Sequence, residues 1–362
     1  MKKCGRTKLL LGKRGSMKGT IKKIIDQYKV WKPSAATKNI IYHWLTRERK
    51  KSFGLNHPDK TFYVIRSIDD KSKFYIGAIH NLLANYFYVL SHLSYAQKRG
   101  WIPIVDQLNY PVYNSQRAPI NGSLNAWEYF WEQPCSYTLD EVYQSKNVVL
   151  SKRSWFAEWD MGYEVSHYTN PLIISQFHTL ADSCPLIDTV SQQIDKVEKA
   201  LLPAGRRILG VSVRFGGHSK HALKPGAGHP IQPEVEELIS RVSSRMDEWK
   251  MDYVFLTSDE RFAVEKFRLE FGDRLLILPR QRFEAGVLYG PNVPNPLYTQ
   301  DMIYQTTLDY LIEMELLSRC DALIGSVTSG LRYAVVRNNC TYEHLEIIDC
   351  GRFPNPNKAV RA

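Results

Sequence analysis

Residues 206–214 read RRILGVSVR, a short apolar run that ends in a single arginine, Arg214. Apolar and β-branched residues in a run of this length predict a strand that is buried on both faces. A loop rich in glycine, histidine and lysine follows, and residues 232–250 then show the apolar spacing of a helix. The next apolar run, MDYVFLTSD at 251–259, predicts another strand. This strand–helix–strand order favours a parallel α/β sheet.

The same alternation continues to both ends of the chain. In the first half, a strand at 60–67, a helix at 77–100 and a strand at 101–107 predict a βαβ unit. A helix–strand step at 139–152 and an amphipathic helix at 186–202 follow it. The remaining predicted elements are helices at 260–273, 305–320 and 328–339 and strands at 274–279, 321–326 and 344–351. The chain is therefore expected to form two α/β halves.

The length of 362 residues suggests more than one domain, and charge divides the chain further. We predict a basic, partly helical leader at 1–58, an N-terminal α/β domain at 59–185 and a C-terminal α/β domain at 186–362. The net charge is +11, yet residues 1–60 alone carry 17 basic and 3 acidic residues. The excess positive charge thus lies almost entirely in the leader.

A basic leader attracts polyanions, either nucleic acid or an anionic membrane surface. Residues 18–32, KGTIKKIIDQYKVWK, have the spacing of an interfacial amphipathic helix, or of a first helix that packs on the rest of the protein. The body is slightly acidic and carries no nucleic-acid motif, so nucleic acid is the less favoured partner. With no secretory signal and no apolar run of membrane-spanning length, we expect a cytoplasmic protein, peripheral on the inner membrane face if residues 1–50 bind lipid.

Polar groups follow the predicted strands of the second half. They are Arg214, residues 257–260, residues 279–282 and residues 326–330. In parallel α/β sheets ligands bind at the carboxyl ends of the strands, so these groups are expected to meet in one cleft. A guanidinium at a strand end and hydroxyls at a helix start both suit a diphosphate.

The sequence carries no signature of a metal or of a nicotinamide or ATP site. The six cysteines form no CxxC pair, and neither GxGxxG nor GxxxxGK[ST] is present. His218, His221 and His229 share one loop, but the flanking glycines leave them little preorganised as ligands. We predict no metal site and reduced cysteines.

Several motifs resemble the α-1,6-fucosyltransferases and their relatives in the wider fucosyltransferase clan. GVSVRFGG followed by GHPIQPEVEELI is similar to that family's GVHVRR strand, loop and His-Pro-Ile turn. YVFLTSDE resembles its strand that ends in Thr-Asp-Asp, and LIEMELLSRCDALIGSVTSG resembles its acidic, Leu-Ser-x-x-Asp and Ser-Ser segment. These ordered matches span about 207–337. RGWIPIVDQLNY, NAWEYFWEQP and SKNVVLS in the first half look like bacterial surface-glycan glycosyltransferases of the clan.

The resemblance implies an α/β, GT-B-like fold of two Rossmann-like domains and a metal-independent, inverting transfer from a GDP-sugar. On this basis Arg214 contacts the donor β-phosphate, Glu313 helps to hold guanine, and Asp259 lies near the donor. The full set that it implies is Arg214, His218 and Asp259 as catalytic residues, and Ser212, Arg214, Asp259, Glu260, Glu313, Thr328, Ser329 and Gly330 as donor-binding residues. No cofactor is implied apart from the donor itself.

This chain departs from the family after Arg214. Phe215 stands where relatives carry a second arginine, Ser212 replaces the histidine of GVHVRR, and glycines and His218 replace the next Thr-Asp. The general base is therefore open among His218, His221, Asp106 and Glu128. The aromatic run 127–131 suits either sugar stacking or a buried core.

Two functions are compatible with the family resemblance and with these departures from it. The first is a glycosyltransferase that moves fucose or a related sugar onto a glycan or lipid-linked glycan in bacterial surface-polysaccharide synthesis. The second is a non-catalytic GT-B-like protein that binds a nucleotide or a glycan, which the loss of the second arginine favours.

Overall fold

A computed structural model describes residues 47–66, 82–108, 118–151, 164–214, 228–282 and 300–354. The amphipathic segment 18–32 and the catalytic candidates His218 and His221 lie outside these residues. Residues 48–362 group as one compact unit of the chain. Within the described residues, no helix is both long and apolar enough to cross a membrane.

The first sheet contains four strands in the order β1-β4-β2-β3. Their bounds are Arg49–Lys51 (β1), Phe62–Arg66 (β2), Ile102–Asp106 (β3) and Val148–Leu150 (β4). Strand β2 pairs in parallel with β3 and with β4, whereas β1 pairs antiparallel with β4. The edge strand β1 thus comes from within the range that the charge pattern predicts as leader.

The second sheet contains five strands, all parallel, in the order β7-β6-β5-β8-β9. Their bounds are Ile208–Ser212 (β5), Tyr253–Thr257 (β6), Leu275–Leu276 (β7), Ala322–Ser326 (β8) and His344–Ile348 (β9). The central strand β5 is buried at every position, as its unbroken apolar sequence predicts. The predicted α/β class with two mainly parallel sheets is confirmed.

Helices connect these strands. Their bounds are Leu82–Gln97 (α1), Leu139–Val142 (α2), Ser166–Thr169 (α3), Pro171–Ala181 (α4), Asp188–Leu201 (α5), Val235–Glu248 (α6), Arg261–Phe271 (α7), Gln300–Ser318 (α8) and Ser329–Asn338 (α9). Helix α4 begins at a proline that has no N–H to leave unpaired, and the Asn170 side chain caps the helix by accepting from the Leu172 N–H at 3.0 Å. The predicted helices and strands therefore occur in the predicted order, with ends shifted by a few residues.

The largest hydrophobic core combines side chains from both halves of the chain. In it Tyr86 of α1 lies against Tyr333 of α9, with ring centroids 5.1 Å apart. Trp127 and Trp131 stack in the same core at 4.7 Å and have almost no exposed surface. The aromatic run 127–131 is thus part of the core, the second of the two alternatives that the sequence leaves open, because rings buried this completely present no face to a ligand.

Helix α9 is held by contacts from the first half of the chain. The Tyr168 hydroxyl donates to the Thr328 carbonyl at 3.0 Å, and His178 Nδ1 lies 3.0 Å from the Val336 carbonyl. These bonds attach α3 and α4 to the start and the middle of α9. They fix the position of the N-terminus of α9 relative to the end of β8.

At Gly325, strand β8 lies in close contact with helix α9. A Cβ at this position would lie 2.4 Å from Leu331 Cδ1 and 3.0 Å from the Ser212 carbonyl oxygen of β5. We predict that Gly325→Ala lowers the free energy of unfolding by about 1–3 kcal/mol, because the methyl group overpacks a backbone that cannot move aside. Urea denaturation monitored by circular dichroism measures this change.

Leu269→Ala is the matched control, because Leu269 on α7 is 85% exposed and its truncation is expected to change stability by less than about 0.5 kcal/mol. Equal stability of the Gly325→Ala variant and the wild type would show that the β8–α9 contact has room for a side chain.

Candidate active site

The strand order of the second sheet contains a topological switch point. From β5 the chain proceeds to β6 and β7 on one side, and then returns to form β8 and β9 on the other. The connections that leave the carboxyl ends of β5 and β8 therefore diverge and leave a crevice between them. Arg214 follows β5, and the N-terminus of α9 follows β8.

Arg214 presents a cation at this crevice. Its backbone N–H donates to Gln232 Oε1 at 3.2 Å, while the half-buried guanidinium makes neither a hydrogen bond nor an ion pair to any described residue. A guanidinium retains its charge at every physiological pH and offers five donors to an oxyanion. Arg214 is therefore positioned by its backbone, and its charged group is available to a ligand.

Gln232 joins the two strand ends at the switch point. Its buried side-chain oxygen accepts from the Arg214 N–H and from the Ser326 hydroxyl at the end of β8. No sequence motif marks this residue. Its two partners are 18 and 94 positions away along the chain, so no local pattern connects them.

The N-terminus of α9 forms the other side of the crevice. Thr328 is the N-cap, and its hydroxyl accepts from the Leu331 N–H at 3.1 Å. The predicted start of a helix at 328–330 is confirmed. The N–H groups of Ser329 and Gly330 have no acceptor within the helix, and with the helix dipole they favour an anion.

A buried ionic network lies beneath Arg214. Arg280 donates to both oxygens of Glu313, with Nε–Oε1 at 2.9 Å and Nη2–Oε2 at 2.8 Å, and the two side chains are only 3% and 1% exposed. Arg282 donates to the same carboxylate at 3.0 Å, and Arg280 also bonds Asp259 Oδ1 at 3.0 Å. Fork-to-fork contacts of this kind are among the strongest in proteins.

The charges of this network set the ionisation of its members. Desolvation raises the pKa of Asp259, but the neighbouring guanidiniums of Arg280 and Arg214 outweigh that effect and hold the pKa below its ordinary value. Burial lowers the pKa of Arg282, and the nearby charge of Arg280 adds to the decrease. Asp259 is therefore an anion at neutral pH and is poorly suited to accept a proton.

No family model matches the chain, and a search of curated proteins finds none that is similar in sequence. Among solved structures, the NodZ α-1,6-fucosyltransferase soaked with GDP-fucose is similar with a TM-score of 0.45 and 14% identity, over 82% of this chain and 100% of that chain. The chain resembles fucosyltransferase structures.

Two further structures show the range of this similarity. Fucosyltransferase NodZ from Bradyrhizobium has a TM-score of 0.44 and 14% identity, over 76% of this chain and 92% of that chain. POFUT1 in complex with GDP-fucose has a TM-score of 0.35 and 10% identity, over 81% of this chain and 75% of that chain. At these identities and TM-scores, what this chain does has to be inferred from its own residues.

Not all of the predicted donor-binding residues are exposed at the crevice. Ser212 is buried in β5 between Thr257 and Gly325. Glu260 is buried at the N-cap position of α7, although its side chain does not cap that helix. Glu313 is already bonded by two arginines, so guanine would have to displace one of them or use a remaining lone pair.

Two of the four candidate bases are held by hydrogen-bond donors. Glu128 accepts from Ser123, Asn125 and Gln133, and Asp106 accepts from the Tyr143 hydroxyl and the Leu108 N–H. The two histidine candidates lie outside the described residues.

We predict that Glu313→Gln lowers the free energy of unfolding by about 3–5 kcal/mol, because it leaves the buried guanidinium of Arg282 without a countercharge and that of Arg280 with Asp259 alone. Chemical denaturation at pH 7 measures the change. Glu343→Gln is the control: its ion pair with Arg207 is exposed, so a loss below about 1 kcal/mol is expected. Equal losses in the two variants would contradict a special role for the buried network.

Asp259 gives a pH-dependent prediction. Because its folded-state pKa lies below the ordinary value near 4, its charge stabilises the fold above that value, and the contribution is lost as the pH falls through the folded-state pKa. The difference in unfolding free energy between the wild type and Asp259→Asn should be present at pH 7 and shrink toward pH 3.

Denaturation curves from pH 7 to pH 3 measure this difference. Asp273→Asn, at the amino end of β7, is the control and should show a small difference at every pH. A difference in unfolding free energy between the wild type and Asp259→Asn that grows as the pH falls would contradict a lowered pKa of Asp259.

Proposed function

We propose that this protein is a glycosyltransferase that moves a sugar from a GDP-sugar donor to a glycan acceptor. The observation that supports this proposal is an Arg214 guanidinium that has no partner among the described residues, on one side of the switch point, and the N-terminus of α9 on the other side. A diphosphate fits this pairing, because it has several oxyanions that can accept from both sides.

The chemistry of sugar transfer uses the same two groups. An acceptor hydroxyl attacks the anomeric carbon as the bond from that carbon to the β-phosphate oxygen breaks, which inverts the configuration. Negative charge grows on the departing diphosphate, so a fixed guanidinium and aligned N–H groups stabilise the transition state more than the bound donor. We propose that Arg214 and α9 supply this stabilisation without a metal ion.

The sequence resemblance to the α-1,6-fucosyltransferases supports guanine as the donor base and fucose or a related sugar as the transferred group. It also supports a glycan of bacterial surface polysaccharide, free or lipid-linked, as the acceptor. In this proposal the domain at 186–362 binds the donor and the domain at 59–185 lies on the acceptor side. The basic segment 1–50 would bring the enzyme to an anionic inner-membrane surface where lipid-linked acceptors are found.

We predict that Arg214→Ala lowers kcat/KM for transfer by roughly 10²–10³-fold, because it removes the charge that faces the leaving diphosphate. Arg214→Lys should retain part of the activity, since it keeps the charge but loses the planar fork. The measurement is product formation from a panel of GDP-sugars and oligosaccharide acceptors, with and without EDTA, which is expected to have no effect.

Arg268→Ala, an exposed arginine on α7, controls for loss of charge in general and should leave kcat/KM unchanged. Unchanged transfer by Arg214→Ala would overturn the proposed role of Arg214. Tight GDP binding by the wild type without transfer to any acceptor would instead favour the non-catalytic binding protein that Phe215 suggests.

A further inference from the structure

Tyr310 on α8 lies against the N-terminus of α9. A Cβ on Gly330, the second residue of α9, would lie 2.5 Å from the Tyr310 hydroxyl oxygen and 2.8 Å from Met314 Sδ. The phenol therefore occupies the space that a side chain at position 330 would take. Glycine at this position allows the hydroxyl to reach the first turn of the helix.

The charged residues of the site surround this phenol. Burial raises the pKa of Tyr310, and the charges of Arg214, Asp259, Glu313 and Arg280 all act on it. The hydroxyl consequently stays protonated at physiological pH and is available as a hydrogen-bond donor. Its contact with Gly330 places it at the α9 side of the crevice, and the charge of Arg214 acts on it.

The hydroxyl makes no hydrogen bond to any described residue. Two other tyrosines of the C-terminal half do donate their hydroxyl hydrogens: Tyr333 donates to Glu315 at 2.5 Å, and Tyr342 donates to the Leu317 carbonyl at 2.9 Å. The half-buried hydroxyl is therefore available to donate to an arriving acceptor. The Leu331 N–H already donates to the Thr328 hydroxyl. The N–H groups of Ser329 and Gly330, beside Tyr310, are therefore those that an anion would use.

We propose that Tyr310 is a donor-binding residue whose hydroxyl hydrogen-bonds a phosphate oxygen of the bound nucleoside diphosphate, together with Arg214 and the N–H groups of Ser329 and Gly330. This inference rests on the proposed function and adds a residue that the sequence motifs do not mark. It also assigns Gly330 a steric role, which is to leave space for the phenol.

Tyr310→Phe tests the contact, because it removes only the hydroxyl and keeps the ring. Calorimetry with GDP should show binding weakened by roughly 10- to 100-fold, the range for a hydrogen bond to a charged group, while binding of guanosine is unchanged. Tyr342→Phe, which removes a hydroxyl bonded within the protein, is the matched control and should bind GDP as the wild type does.

Gly330→Ala and the double variant Gly330→Ala/Tyr310→Phe provide a second test. The methyl group collides with the hydroxyl, so Gly330→Ala alone should lower both the Tm and the GDP affinity. Removing the hydroxyl relieves that collision but not the one with Met314 Sδ, so the double variant should regain part of the Tm and bind GDP no more weakly than Tyr310→Phe does. Additive losses of Tm would instead show that the Tyr310 hydroxyl does not occupy the space beside Gly330.

The outcomes separate the two claims. A wild-type protein that binds neither GDP nor GDP-sugars would overturn the proposed function and this contact with it. Wild-type binding of GDP that Tyr310→Phe leaves unchanged, or weakens equally for guanosine, would overturn the diphosphate contact alone.

Discussion

The fork-to-fork bond between Arg280 and the buried Glu313 is the constraint on which the site depends. It joins the segment after β7 to the middle of α8, and through Asp259 it includes the end of β6. Charges this deeply buried are tolerated only when each has a partner. The network therefore holds three separate parts of the chain in a single arrangement, and Tyr310 lies one turn before Glu313 on the same helix.

Arg214 differs from the other two arginines because no carboxylate in the described part of the chain is bonded to its guanidinium. Arg280 and Arg282 share Glu313, and Asp259 is bonded to Arg280, so the carboxylates near Arg214 are already engaged. The crevice consequently keeps a net attraction for anions. Gln232 maintains this arrangement without adding charge, since its amide oxygen accepts from the backbone of Arg214 and from Ser326.

Both halves of the chain contribute to the position of α9. Tyr168 bonds the carbonyl of the N-cap residue, and Tyr86 packs on Tyr333 in the shared core. The N–H groups that face the crevice are thus oriented by residues about 160 and 250 positions away from them along the chain. Small residues set how closely the layers approach: Gly325 allows α9 to lie on β8, and Gly330 allows the Tyr310 phenol to reach α9.

The sequence by itself determined the order of strands and helices from β2 to β9, apart from α3 and α4, because that order follows from local apolar spacing and from helix end signals such as Thr328. It also placed Arg214, Asp259 and Thr328 at strand ends, since each directly follows an apolar run. Only the tertiary structure decided that Glu313 bonds two arginines, that Gln232 joins β5 to β8 and that Trp127 and Trp131 are core. Those facts depend on contacts between residues far apart in sequence, where hydrogen-bond partners and burial are set by packing and not by neighbours along the chain.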